Sequence, residues 1–171
     1  MNEPIVLTTP LKEEDITNLK VGDVISISGN IFAGRDAVLP KIVDLFRDGK
    51  LQDMGIDLIG SVIFHTAVSP AGVGPTSSNK LEIEESFLPL SDAGVKIHLG
   101  KGAISPETVK GLKDRNAVFA IIPPVTALLG DKTLDHTTVA FPELGMEALH
   151  SLKVKDYQAI IAAAQGESIY D

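Results

Sequence analysis

Val21-Gly22-Asp23-Val24-Ile25-Ser26-Ile27-Ser28-Gly29-Asn30 opens on a turn, passes into a strand of branched residues and reaches a second turn. This early part of the chain holds more strand and turn than a doubly wound parallel fold would require, so the sheet is expected to be mixed. Outward from it, short apolar runs at 5–7, 24–27, 58–64, 95–99, 117–122, 138–141 and 159–163 read as strands. Helical patterns fall between them at 37–47, 79–90, 106–115, 125–129 and 145–152, several with start signals such as Ser105-Pro106-Glu107. Such alternation predicts an α/β layered domain. No internal repeat, low-complexity tract or long linker divides the chain, so residues 1–171 are expected to form one domain.

Composition narrows the chemistry. The 171 residues are 44 % hydrophobic, enough to fill one core without a covalent staple. Cysteine is absent, which removes disulfides, thiolate metal sites, cysteine-held clusters and cysteine nucleophiles from this chain. The formal charge of -8 is the reverse of the basic footprint of nucleic-acid binding. An anionic small molecule stays open as a partner, because a few cations converging in one cleft set the local potential. The stretch 117–129 is broken by Pro123-Pro124 and is too short to span a membrane. Met1-Asn2-Glu3-Pro4 lacks the pattern of a secretion signal, and the chain is expected to be cytoplasmic.

Three segments could carry chemistry. Ala67-Val68-Ser69-Pro70-Ala71-Gly72-Val73-Gly74-Pro75-Thr76-Ser77-Ser78 runs straight into the helical pattern at Asn79-Lys80. Its glycines allow close backbone approach, its hydroxyls donate or accept, and the free N–H groups of a helix start favour an anion. A capped helix after a loop is the plain alternative. Arg35, in Gly34-Arg35-Asp36, would stand near a helix N-terminus, where the dipole disfavours a cation. An anionic ligand explains it, and so does a surface pair with a carboxylate. Lys101 lies between Gly100 and Gly102 directly after a strand, in the crevice region of an open α/β sheet, although a solvated turn lysine has the same appearance. Of the histidines, His65 ends a strand before the Gly-rich loop and could reach the same cleft as a proton-transfer or carboxylate-binding group. His98 lies in a strand, His136 and His150 lie in polar surroundings, and no two are at metal-ligand spacing.

In order along the chain, Gly29-x-Ile31-Phe32-x-Gly34-Arg35-Asp36-Ala37, Gly74-Pro75-Thr76-Ser77-Ser78-x-Lys80, Gly94-Val95-Lys96-x-x-x-Gly100-Lys101-Gly102 and Glu143-Leu144-Gly145-Met146-Glu147-Ala148 resemble the β region of iron-sulfur class I fumarate hydratases and L-tartrate dehydratases. The resemblance implies a single swivelling β/β/α domain with a mixed sheet and flanking helices. It implies a β subunit that works with a cysteine-bearing α subunit, in an αβ or (αβ)2 assembly, with a [4Fe-4S] cluster held by the α subunit. The implied reaction is reversible addition of water across a carbon-carbon double bond of a small dicarboxylate, with fumarate and L-malate first and tartrate second.

Residue by residue, the resemblance makes Arg35 a substrate-carboxylate ligand, Thr76 the base candidate and Lys101 the cation that neutralises developing charge. Gly74, Ser77, Lys80 and His65 would complete the substrate site. Three positions depart from the pattern: Leu39 followed by Pro40 replaces a histidine, Ser77 a second threonine, and Lys80 an arginine. Lysine offers a point charge where arginine offers a planar fork, so the carboxylate geometry differs. A non-catalytic anion-binding domain and a purely structural subunit are the readings from other classes.

Overall fold

The computed structural model describes residues 4–34, 37–65, 68–69, 72–73, 80–100, 104–122 and 133–168. Its strands are β1 (Ile5–Thr8), β2 (Val24–Ala33), β3 (Val62–Phe64), β4 (Val68–Ser69), β5 (Gly72–Val73), β6 (Ile97–Gly100), β7 (Val118–Ile121), β8 (Thr133–Ala140), β9 (Leu149–Ala164) and β10 (Glu167–Ser168). Its α-helices are α1 (Glu13–Thr17), α2 (Leu39–Arg47), α3 (Lys80–Asp92) and α4 (Pro106–Asp114). Parallel pairing runs β2–β3–β6–β7, and β9 returns antiparallel to pair with both β7 and β2. The eight-stranded sheet thereby curls into a small barrel, and the sheet is mixed as the early turn-and-strand stretch predicts.

Side chains of alternate strand positions fill the barrel. Ile25, Ile27, Ile31, Val62, Phe64, Ile97, Leu99, Val118 and Ala120 point into one buried cluster that Leu152, Val154, Tyr157 and Ile161 of β9 complete. The other face of the parallel strands is covered by helices: α2 and α3 meet Ile63 in a second cluster. Phe87 of α3 and α4 meet Phe119 in a third. Ser105 caps α4, its Oγ accepting from Thr108 N at 3.3 Å, which matches the start signal in the sequence.

Two expectations fail, both because of β9. A helix over 145–152 is expected from the sequence, yet a 3-10 turn over Pro142–Glu147 leads into β9 at Leu149. Residues 150–154 alternate between buried and more open positions and are paired on both edges, with β2 on one side and β8 on the other. Two ladders of backbone hydrogen bonds override a weak helical preference. His150 therefore lies at the buried end of β9, 5 % exposed, with Thr138 Oγ1 3.2 Å from its Nδ1, and the polar surroundings read from the sequence do not apply.

Gly29 does not end its strand either. β2 continues to Ala33, and the register against β9 shifts between Ile27 and Gly29. The extra residue lies on β9, where Asp156 takes φ 54° and its N–H donates to Ser28 Oγ at 3.0 Å. Gly29 itself has φ 110°, and a Cβ there would strike Thr9, so the glycine serves the bulge and the packing of the chain after β1. The helix expected over 125–129 lies outside the described residues.

Candidate functional site

Because β2, β3, β6 and β7 are parallel, all four end at the same rim of the barrel. One further rung ties these ends together: Gly34 N donates to Phe64 O at 3.0 Å, His65 N to Leu99 O at 2.9 Å and Ile122 N to Gly100 O at 3.2 Å. In the sequence, the residues next after Gly34, His65 and Gly100 are Arg35, Thr66 and Lys101. Of the seven site residues expected from the sequence, Arg35, Gly74, Thr76, Ser77 and Lys101 lie outside the described residues. Lys80 is the first residue of α3, and its backbone alone is described. His65 is described in full.

His65 is 5 % exposed and follows β3 on the side of the sheet that faces α3. Its Nε2 lies 3.0 Å from Nδ1 of His98, whose Nε2 in turn lies 2.9 Å from Ser91 Oγ on α3. Phe87, one turn earlier on α3, stacks on the His98 ring at 4.5 Å with an 11° interplanar angle, and its centroid is 4.6 Å from that of His65. Burial pushes the His98 imidazole down to about 3, with the Phe87 backbone opposing the shift. Burial likewise holds His65 well below its ordinary value, and the neighbouring His98 adds to that. Both rings are neutral near pH 7, so His65 is not the cation that binding a carboxylate by charge would need. Its Nδ1 is buried and has no hydrogen-bond partner among the described residues.

Sequence reasoning finds His65 and misses its partners. His98 stands one position before Leu99, and only the parallel register Ile63↔His98 brings the two imidazoles together across the sheet. The period-2 alternation of β6, with Ile97 and Leu99 facing inward, is a usable signal that His98 faces the helices.

Lys96, from the same motif as Lys101, sits at the opposite end of β6. Its Nζ lies 2.6 Å from Glu13 Oε1 of α1, and Asn116 Nδ2 donates to Glu13 Oε2 at 2.6 Å. The Lys96 and Asn116 contacts hold the Glu13 carboxyl below its usual range. Gly94, which opens that motif, has φ 119° and lies against the backbone of Ile59, so its place in the motif is fixed by a turn. Among the described residues, no three His, Asp or Glu side chains are grouped so that they could hold a metal ion, and the chain has no thiolate for a cluster. No helix among them is long and apolar enough to cross a membrane.

Against known proteins, residues 1–171 match the family described as Fumarase C-terminus. The chain is 32 % identical over 170 residues to an Escherichia coli protein named L(+)-tartrate dehydratase subunit beta, with 92 % of this chain and 81 % of that one covered. It is 31 % identical over 176 residues to a Methanocaldococcus jannaschii protein named putative L(+)-tartrate dehydratase subunit beta, covering 94 % and 88 %. A Geobacillus stearothermophilus protein named putative fumarate hydratase class I is 29 % identical over 180 residues, covering 98 % of this chain and 34 % of that protein.

Proposed function

Since the chain belongs to the Fumarase C-terminus family, we propose that it is the β subunit of a two-subunit [4Fe-4S] hydro-lyase acting on a small dicarboxylate. One observation carries the proposal: the match covers most of the length of two relatives that are themselves named beta subunits of a dehydratase. Residues 1–171 are read as one domain of that enzyme. With no cysteine here, the chain does not fit a cluster's ligand set, and the cluster belongs on a cysteine-bearing α subunit. Fumarate and L-malate stand first, as the commonest substrates of the family that the motifs resemble. The names of the Escherichia coli and Methanocaldococcus jannaschii relatives favour L-tartrate as the second reading.

The chain's own share of the chemistry is binding, charge compensation and proton transfer. In the dehydration direction a proton leaves carbon, its electron pair becomes the double bond, and the hydroxyl takes up a proton, balancing the one lost from carbon, and departs as water. Thr76 is the proton acceptor in this reading, a role that a hydroxyl fills only with strong electrostatic help. Lys101 supplies such help by neutralising charge that builds on the adjacent carboxylate. Arg35 grips one substrate carboxylate in a bidentate fork, and Lys80 takes the distal one as a point charge. Gly74 and Ser77 contribute backbone and hydroxyl contacts. What supports this grouping is the parallel sheet, since Gly34 and Gly100, the residues before Arg35 and Lys101, lie at one rim with His65.

The test is assembly. Purified alone, the chain is expected to be folded, colourless and unable to hydrate fumarate, while the pair with its cysteine-bearing partner turns over fumarate, L-malate or a tartrate. Stoichiometric iron and sulfide in the isolated chain, or hydration by it alone, would overturn the proposal.

A further inference from the structure

An unpartnered nitrogen at the end of a buried chain of imidazoles is a costly arrangement. A polar atom removed from water without a hydrogen bond is destabilising, so such atoms persist chiefly where something else supplies the partner. Among the described residues His65 Nδ1 is such an atom, in a residue at the rim where the four parallel strands end and two positions before the Gly-rich segment begins at Ala67.

The rest of the chain decides whether Nδ1 offers a proton or a lone pair. The backbone of Phe87, four residues before Ser91 on α3, hydrogen-bonds the His98 ring and favours a proton there. His98 Nδ1 faces His65, so the nitrogen that carries the proton is Nε2, and Ser91 Oγ accepts from it at 2.9 Å. With its proton on Nε2, a neutral His98 presents Nδ1 as acceptor, and His65 must donate to it from Nε2 across 3.0 Å. The Phe87 stacking fixes the His98 ring plane in the orientation this needs.

We propose that Ser91 and His98 lock His65 as the Nε2–H tautomer, so that its Nδ1 is a fixed hydrogen-bond acceptor for the hydroxyl group of a hydroxy-dicarboxylate. His65 thereby reads the substrate's hydroxyl, and His98 and Ser91 are positioning residues for it. The inference rests on the dicarboxylate reading above and sharpens it, because a carboxylate has no proton to give a neutral acceptor and a hydroxyl does. It revises the part expected from the sequence, that of a carboxylate-binding or proton-transfer group. It also gives the enzyme a means of telling hydroxylated from plain dicarboxylates, since a site built to pair with a hydroxyl loses affinity when the hydroxyl is missing.

Two measurements test it. On the ¹⁵N-labelled full chain, long-range proton-nitrogen correlation should show a pyridine-like Nδ1 and a pyrrole-like Nε2 for both His65 and His98. A pyrrole-like Nδ1 on His65 overturns the proposal. In the assembled pair, the affinity for L-malate relative to succinate, which lacks the hydroxyl, should fall about tenfold in His65→Phe, the scale of one hydrogen bond. His65→Asn, which can place an acceptor oxygen near the position of Nδ1, should restore much of that ratio. Equal losses for both ligands, or no loss, would overturn the proposal while leaving the hydro-lyase reading in place. Failure of that reading would appear separately, as a pair that turns over no hydroxy-dicarboxylate.

Discussion

β6 has a lysine at each end of one motif, Gly94-Val95-Lys96-Ile97-His98-Leu99-Gly100-Lys101-Gly102, and the two ends of the barrel it joins are built differently. At the start of the strand, Lys96 is 8 % exposed and its ammonium is held by Glu13, itself held by Asn116, so α1 is clamped over that end. At the far end, the rung that ties the strands runs through Gly34, His65, Gly100 and Ile122, and in the sequence Arg35 and Lys101 come next after Gly34 and Gly100. Between the two, Ile97 and Leu99 fill the barrel while His98 faces α3. A cation in a family motif can therefore belong to the scaffold, as Lys96 does.

Exchanging the roles of the two lysines is the strongest way to break that comparison. In the assembled pair, Lys101→Ala and Arg35→Ala should each lower kcat/KM at least 10²-fold, the usual scale for removing a preorganised charge, with melting temperatures close to wild type. Lys96→Met should do the opposite, lowering the melting temperature while the folded enzyme keeps its turnover. Normal melting with lost activity in Lys96→Met would place the site at the α1 end of the barrel.

The contrast also shows how far the sequence could be read. The strands at 5–7, 95–99 and 117–122 were legible because branched residues recur between turn signals, and α4 because Ser105-Pro106 marks its start. β9 was legible only over 159–163, because its first half borrows its strand character from β2 and β8, which lie far away in sequence. His65 stood out by adjacency to the Gly-rich loop. His98 did not, since a lone histidine in a strand shows nothing until the register Ile63↔His98 sets it beside another. Lys96 stands within a motif yet suggests no role of its own, because its partner Glu13 comes from a five-residue helix that the apolar pattern does not reveal.

His98, midway along β6, gives a second and smaller effect. Its folded pKa of about 3 lies below its ordinary value of 6.5, so the unfolded chain binds the proton more readily between those values. The stability this contributes is complete above pH 6.5 and is lost as pH falls toward 3. The window from pH 7 to 5 lies above the ordinary pKa of Glu13, so it isolates the histidines. The proton that His98 takes up only on unfolding lowers stability by roughly 1 kcal/mol for each pH step below 6.5, so its own share of the loss that urea unfolding shows across that window is about 2 kcal/mol. His65 acts with the same sign, its pKa also being lowered. His98→Met should make the profile less steep by that share and leave the part that His65 contributes. An equally steep profile in that variant would mean that His98 titrates normally and is not sealed against α3.

The smallest effect concerns the clamp itself and turns on an asymmetry of burial. The Lys96 side chain is 10 % exposed and that of Glu13 is 66 % exposed, although they form one pair. Removing Lys96 leaves a carboxylate that water can solvate, and the lost packing of the lysine stem is largely replaced in Lys96→Met. Removing the carboxylate by Glu13→Gln leaves an ammonium nearly out of water with a weaker acceptor, the more costly deletion of the two. Glu13→Gln is therefore expected to destabilise by about 1–2 kcal/mol and Lys96→Met by under about 1, with the double variant close to Lys96→Met alone. Chemical denaturation of the three variants at pH 7 measures all three values. If Glu13→Gln proved the milder change, the ammonium would be reaching solvent, and the α1 end of the barrel would be more open than the geometry of the clamp indicates.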